Sequence, residues 1–368
     1  MNNIARDIAR ETSNRKIQHI YICAEKEVES KWSGFEDIYL IHNALPEVDK
    51  EAIEYSTKFL GHGFKAPLLI ASMTGGHADT KKINIALAKA AEELGIGIGV
   101  GSQRAALENS SLEDTYRVVR DYAPSVFIYG NLGAAQLRKY GIEGIERAVE
   151  MIDANAMAIH LNFLQEAIQL EGDVNARGVL AEIREICKAS KVPIMVKETG
   201  AGISHKIAWE LKKAGVAAID VGGLGGTSFA GVEYYRAVAE KNGVRESLGK
   251  LFWNWGIPTA VSIVEAKVSE DIPIIATGGI RSGLDAAKAI ALGASLCGIA
   301  LPLLKPALQG ERAVIEKLKL IMEELKVAMF LSGCASINDL KKAQLVITSK
   351  TREFLEQRGF DIKHYSTR

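Results

Sequence analysis

The stretch Thr277-Gly278-Gly279-Ile280-Arg281-Ser282-Gly283 sets a glycine pair and an arginine just ahead of a helical pattern that begins near Leu284. Glycine lets backbone N–H groups approach an anion closely, and N–H groups leading into a helix favour negative charge. The chemistry implied is a phosphate grip; a tight strand–helix turn without ligand is the plainer alternative. His160, Asn162, Gln165 and Glu166 share one short stretch. Glu166 is a hard oxygen ligand suited to Mg²⁺, which keeps waters and borrows one carboxylate plus substrate phosphates. Lys197 ends an apolar run. Lysine is seldom buried unpaired, so an anionic ligand accounts for it, as would a surface lysine laid along apolar neighbours. Arg15, Lys16 and Arg104 are the further cations suited to a diphosphate.

Residues so far apart in sequence need a scaffold that gathers them. Short apolar runs ending in Gly or polar residues recur at Pro67–Met73, Ile96–Val100, Val126–Tyr129, Met157–Leu161, Pro193–Lys197, Ala217–Val221, Pro273–Thr277 and Leu296–Ala300. Each has the length of a buried parallel strand and is apolar nearly throughout rather than alternating. Between them the period becomes helical. Ile142, Ile145, Val149 and Ile152 share one face, as do Ile315, Leu318, Met322, Leu325 and Met329. Gly95, Gly215 and Gly293 punctuate helix ends. Strict alternation of eight such units predicts an α/β protein, a (β/α)8 TIM barrel, with a doubly wound open sheet as the structural alternative.

Two stretches fall outside the repeat. Residues 1–65 form a polar N-terminal extension, in which Ser13, Asn14, Arg15 and Lys16 suggest a turn or helix start. Residues 222–257 form a long Gly-rich and aromatic loop after strand six, ending in Phe252-Trp253-Asn254-Trp255-Gly256. Loops in that position build lids and substrate walls. The barrel itself is expected over 66–345 and a C-terminal tail over 346–368.

Forty-five basic and 45 acidic residues cancel, which argues against nucleic acid or an anionic membrane as partner. The longest apolar runs are too short to span a bilayer, and the N-terminus lacks an apolar signal core, so a cytoplasmic location is expected. Cys23, Cys187, Cys297 and Cys334 stand alone, without zinc-finger spacing, and read as reduced thiols.

Ser13-Asn14-Arg15-Lys16-Ile17-Gln18-His19, Ser72-Met73-Thr74-Gly75-Gly76, Gly99-Val100-Gly101-Ser102-Gln103-Arg104 and His160-Leu161-Asn162 with Gln165-Glu166 together resemble type 2 isopentenyl diphosphate isomerase. The resemblance covers about residues 13–345, with the motifs in the family's order. The family more often carries Glu between the Lys and His of the first motif, where Ile17-Gln18 stand here. The resemblance implies reversible isomerisation of isopentenyl diphosphate to dimethylallyl diphosphate, using reduced FMN, Mg²⁺ and NAD(P)H as reductant, in a homotetramer or larger homo-oligomer. It implies that Ala71, Ser72, Met73, Thr74, Ser102, Asn131, Lys197, Thr227, Gly278, Gly279, Arg281, Ala300 and Leu301 surround FMN. It puts Arg15, Lys16, Ser102, Gln103, Arg104, His160, Asn162 and Gln165 around the substrate, Glu166 on the metal, and Gln165 and Lys197 in catalysis.

The residues fit that chemistry. Moving a double bond requires a proton delivered to one carbon and another removed. No cysteine or unpaired carboxylate is expected beside the flavin, since Cys297 lies inside strand eight, and a neutral amide such as Gln165 is no ordinary acid. A reduced flavin brings the exchangeable protons instead. The competing activity is an FMN oxidoreductase of the hydroxy-acid oxidase or IMP dehydrogenase type, which needs a histidine base or a cysteine after strand six. That loop reads Gly222-Gly223-Leu224-Gly225-Gly226-Thr227. A non-catalytic flavin- or phosphate-binding barrel is the remaining alternative.

Overall fold

The computed structural model describes residues 15–268 and 271–368. Eight parallel strands close into a barrel: β1 (Leu68–Ile70), β2 (Gly97–Gly99), β3 (Ile128–Gly133), β4 (Ala156–Leu161), β5 (Ile194–Glu198), β6 (Ala218–Asp220), β7 (Ile274–Ala276) and β8 (Leu296–Ile299). β8 pairs back to β1 through Cys297–Leu68 and Ile299–Ile70, so the sheet has no free edge. Each strand lies within or overlaps a predicted run. β3 alone runs well past its run, because pairing with β4 continues from Gly130–Met157 to Gly133–His160.

Helices follow the strands and cover the barrel, as the periodicity predicts: Leu137–Ile152 buries Ile145 and Ile152, and Glu311–Leu331 buries Ile315, Leu318, Leu325 and Met329. Inside, Leu69, Phe127, Tyr129, Ala156, Ala158, Met195, Ala218, Ile275 and Leu296 fill the space between strands. The Tyr129 ring occupies what would be the Cβ position of Gly99, so a side chain there would displace it. Its hydroxyl accepts from Ser72 N at 3.2 Å and so meets the first residues beyond β1.

The extension is built in two parts. A hairpin, Thr57–Phe59 with His62–Phe64, inserts Phe59 and Phe64 against Phe127 and plugs the N-terminal end of the barrel. Its two-residue turn, Leu60-Gly61, has φ of 46° and 84°, the left-handed geometry that matches strand twist. Strand Ile38–Leu40 pairs antiparallel with Leu345–Ile347. The boundary expected at 345/346 therefore falls inside a strand, and helices Ser349–Gln357 and His364–Thr367 follow it. Glu265, fully buried in helix Thr259–Ala266, pairs with Arg358 at 2.9 Å and ties this end to the barrel. Ser13 and Asn14 lie outside the described residues, and residues 15–25 are helical.

The segment expected to be a loop after strand six is mostly helical. Helices Phe229–Ala239 and Gly243–Leu251 pack together, and Ser228 and Asn242 cap them through their side chains. Glycine and aromatic composition had concealed two amphipathic segments.

Candidate active site

A cavity of about 240 Å³ opens at the C-terminal ends of the strands. It is lined by all but one of the residues singled out from the sequence. The exception is Gln103, which is fully buried away from it: Nε2 donates to Ala148 O at 2.7 Å, and Oε1 accepts from Asn131 N at 2.9 Å. Gln103 holds β3 against its helix, so its side chain is not brought to the cavity with the other expected substrate residues.

One wall is the turn after β7. Gly278 and Gly279 have φ of 97° and 81° and precede helix Gly283–Leu292, whose start is fixed by a Ser282–Asp285 capping box. A Cβ on Gly226 would lie 2.9 Å from Gly278 Cα, so the loops after β6 and β7 touch through bare backbone. Arg281 points its guanidinium to Glu29 of the extension and to Gly225 O.

The floor is polar and incompletely satisfied. Ser72 Oγ and Thr74 Oγ1 are buried without a hydrogen-bond partner among the described residues. Buried hydroxyls are normally bonded, so two orphans lining one cavity indicate a ligand that supplies partners. Lys197 is 7% exposed, its Nζ 2.8 Å from Glu198 O and 3.8 Å from Asp220 Oδ2. Asp220, concealed in the sequence inside an apolar run, supplies a protein counter-charge for this lysine. Burial pushes the Asp220 carboxyl up, while Lys197, the Thr277 hydroxyl and Gly222 N–H pull it down.

Asn131 links floor to rim. Its Nδ2 donates to Val100 O at 3.2 Å, so its Oδ1 accepts from His160 Nδ1 at 2.8 Å. Burial, then Lys197 and Lys16, lower the His160 ring to about 3. His160 is thus neutral, with its proton on Nδ1.

Arg15, Lys16 and Arg104 gather on the side covered by the extension. Arg15 pairs with Glu171 at 3.2 Å and Arg104 with Glu108 at 2.9 Å. Among the described residues no carboxylate lies within ion-pair distance of Lys16. Burial, then the charges of Arg15 and Arg104, lower it to about 7. Three cations around one concavity, one of them uncompensated, make an anion site.

Gln165 enters the same cavity from helix Phe163–Ile168. Its Nε2 donates to Glu233 Oε1 at 3.0 Å, and Glu233 also binds His19 at 3.0 Å and Arg236 at 2.7 Å. Burial alone would raise the Glu233 carboxyl, but His19, Arg236 and Gln165 reverse this and hold it at about 2. Burial lowers His19 itself, so its part is mainly that of a hydrogen-bond donor and Arg236 carries the charge. Neither Glu233 nor His19 was among the expected site residues. The usable signal was Glu233 and Arg236 three apart on one helix face.

Glu166 is buried beside them. Oε1 accepts from Asn162 Nδ2 at 2.9 Å, and Oε2 from Gln169 Nε2 at 2.6 Å and Asp173 N at 2.7 Å. The described residues hold no cluster of three or more His, Cys, Asp or Glu able to cage a metal. Glu198 also lines the cavity. Its Oε2 accepts from Thr199 N and Gly200 N at 2.7 Å and from Ala201 N.

A closed barrel with a glycine turn after β7 and orphaned hydroxyls after β1 defines a flavin-binding (β/α)8 protein. The chain matches the model of the FMN-dependent dehydrogenases over residues 9–128 and 150–347. Its fold is shared with a lactate oxidase from Pediococcus acidilactici (18% identical, TM-score 0.61, 87% of this chain and 88% of that one). It is shared too with a flavocytochrome b2 mutant carrying benzoylformate (17%, TM-score 0.64, 90% and 80%). Sequence relatives are nearer. The isopentenyl-diphosphate delta-isomerase of Methanosarcina mazei is 59% identical, over 96% of this chain and 97% of that one. That of Archaeoglobus fulgidus is 53% identical, over 95% and 99%. The chain belongs to the FMN-dependent, type 2 isopentenyl-diphosphate delta-isomerase family.

Proposed function

We propose that this protein interconverts isopentenyl diphosphate and dimethylallyl diphosphate at reduced FMN. The observation that carries the reading is the cavity's lining: three cations, Arg15, Lys16 and Arg104, share it with a neutral amide, Gln165. The first suits a diphosphate; the second suits an alkene, which offers no charge to pair. Ile20, Phe229 and Leu301 add apolar wall for the hydrocarbon.

The residues present fit FMN. The orphaned Ser72 and Thr74 hydroxyls would meet its ring with Met73, Ser102, Asn131 and Lys197, and Thr227, Gly278, Gly279, Arg281, Ala300 and Leu301 its phosphate end. Reduced FMN supplies, when bound, exchangeable protons for a redox-neutral isomerisation. Lys197 favours an anion above the floor, partly offset by Asp220. Glu233 fixes the Gln165 amide with its N–H₂ engaged, which orients its oxygen. Glu166 fits Mg²⁺ in the mode that borrows phosphate oxygens and water, since one carboxylate stands without a cage. NAD(P)H as reductant, a homotetramer or larger assembly and a cytoplasmic location accompany the reading; no described helix is long and apolar enough to cross a membrane.

The test uses purified protein loaded with FMN, with Mg²⁺ and isopentenyl diphosphate, before and after anaerobic reduction by dithionite. Product should form only after reduction, with no net consumption of reductant. Reductant oxidised in step with substrate would instead establish an oxidoreductase.

A further inference from the structure

A second, smaller cavity of about 10 Å³ lies behind the first. Gln165, Glu198, Thr199, Gly200 and Phe229 border both, and Trp253 and Trp255 close the far side. Trp255 is 61% exposed, so the small cavity lies directly under the surface. Its volume is that of about one water molecule, and a water needs roughly two to four polar partners. Glu198, Gln165 and Ser228 are the residues with polar side chains, besides Thr199, that line it, the Ser228 hydroxyl already donating to Trp253 O at 2.7 Å. Glu198 Oε2 is committed to three backbone N–H groups, while Oε1 takes part in no hydrogen bond among the described residues.

We propose that Glu198 is a proton gate: a carboxyl in the wall between the two cavities that exchanges protons between the reacting site and a water held under Trp255. This rests on the isomerase reading. The step balances over one turnover: Glu198 passes one proton inward and takes one from the water, and the proton removed from the substrate returns to that water by the reverse path, so no net charge is left in either cavity. Burial raises the Glu198 carboxyl to about 7, against the three N–H groups and Lys197, so both protonation states are populated near neutrality. Lys197 is the charged side chain acting directly on it; Asp220 lies beyond that lysine.

Turnover in D₂O tests the gate, read as deuterium in the product per isomerisation. Glu198→Gln keeps an acceptor for the three N–H groups but cannot titrate, and Ala201→Leu fills the small cavity while leaving the carboxyl intact. Each should lower incorporation per turnover by on the order of tenfold, with product still formed. Incorporation by the wild type should fall as pH rises through about 7, where Glu198 loses its proton, and the Gln variant should show no such step. On flavin-free protein, a carboxyl infrared band titrating near that pH should vanish in the same variant. Incorporation equal to wild type in both variants, or no titrating band, overturns the gate. Absence of wild-type turnover would instead overturn the isomerase reading.

Discussion

At the N-terminal ends of the strands, Phe59, Phe64 and Phe127 pack edge-to-face or tilted with ring centroids 5.6 to 6.2 Å apart, and the hairpin that carries two of them seals the barrel. At the C-terminal ends of the same strands, Ser72 Oγ, Thr74 Oγ1 and Asp220 Oδ2 are buried without a hydrogen-bond partner among the described residues, Asp220 having only the Lys197 charge at 3.8 Å. Each such atom costs about 1–3 kcal/mol. One end therefore stores stability and the other forgoes it, because unmet hydrogen bonds and crowded cations are what a ligand binds. Tyr129 spans the two, its ring in the core and its hydroxyl on Ser72 N.

If the division holds, substitutions at the upper end should change chemistry and spare the fold. Gln165→Leu should show the largest effect, a fall in kcat on the order of 10²–10⁴, as for loss of a positioned proton-transfer group. Flavin occupancy and diphosphate affinity should barely move, since the charged side chains remain. Unchanged kcat would reduce Gln165 to packing.

The converse is Phe127→Ala at the lower end. Loss of a buried aromatic costs about 3–5 kcal/mol, read as a lower urea midpoint. The fraction that remains folded should keep its FMN and its kcat. Impaired flavin binding at undiminished stability would show that the two ends are not independent.

Glu166→Gln sharpens the upper end further, separating metal from substrate contacts. Both carboxylate oxygens already hold N–H donors, so the amide must lose either the bond from Asn162 or those from Gln169 and Asp173, besides weakening the metal. Mg²⁺ affinity should fall by about 10–100-fold with FMN retained. An unaltered Mg²⁺ titration would move the metal elsewhere.

The two ends also differed in how well the sequence announced them. Buried parallel strands read as unbroken apolar runs, so all eight could be found. β3 read short because Asn131 and its flanking glycines resemble a loop. Of the residues at the mouth, those next to strand ends were legible by position, but position alone did not separate Gln103, whose side chain turns into the core, from Ser102 and Arg104, which line the cavity. Glu233 escaped because it lies on a helix inside a segment whose composition suggested a loop. Asp220 and Glu198 escaped because burial, which gives them their character, is a property of the folded chain.

Lys16 gives the smallest effect and the finest test, because one residue should impose opposite pH slopes on binding and on stability. In the free protein its ammonium is lowered to about 7 by burial and by Arg15 and Arg104. A diphosphate prefers the protonated form, so binding above that pH must take up a proton. KM should then rise with pH from about 7, by at most about tenfold per unit, until the value in the complex is reached. For stability the sign reverses. The unfolded chain keeps lysine protonated to its ordinary value of 10.5, so between about 7 and 10.5 it binds more protons than the folded one. Stability therefore rises with pH through that window, as the penalty of a buried charge is relieved. Lys16→Arg does not titrate there and should flatten both slopes, although the bulkier fork will not restore every contact. A pH-independent KM between about pH 6 and 9 would mean that Lys16 does not touch the diphosphate. The anion site would then rest on Arg15 and Arg104, each of which already has a carboxylate beside it.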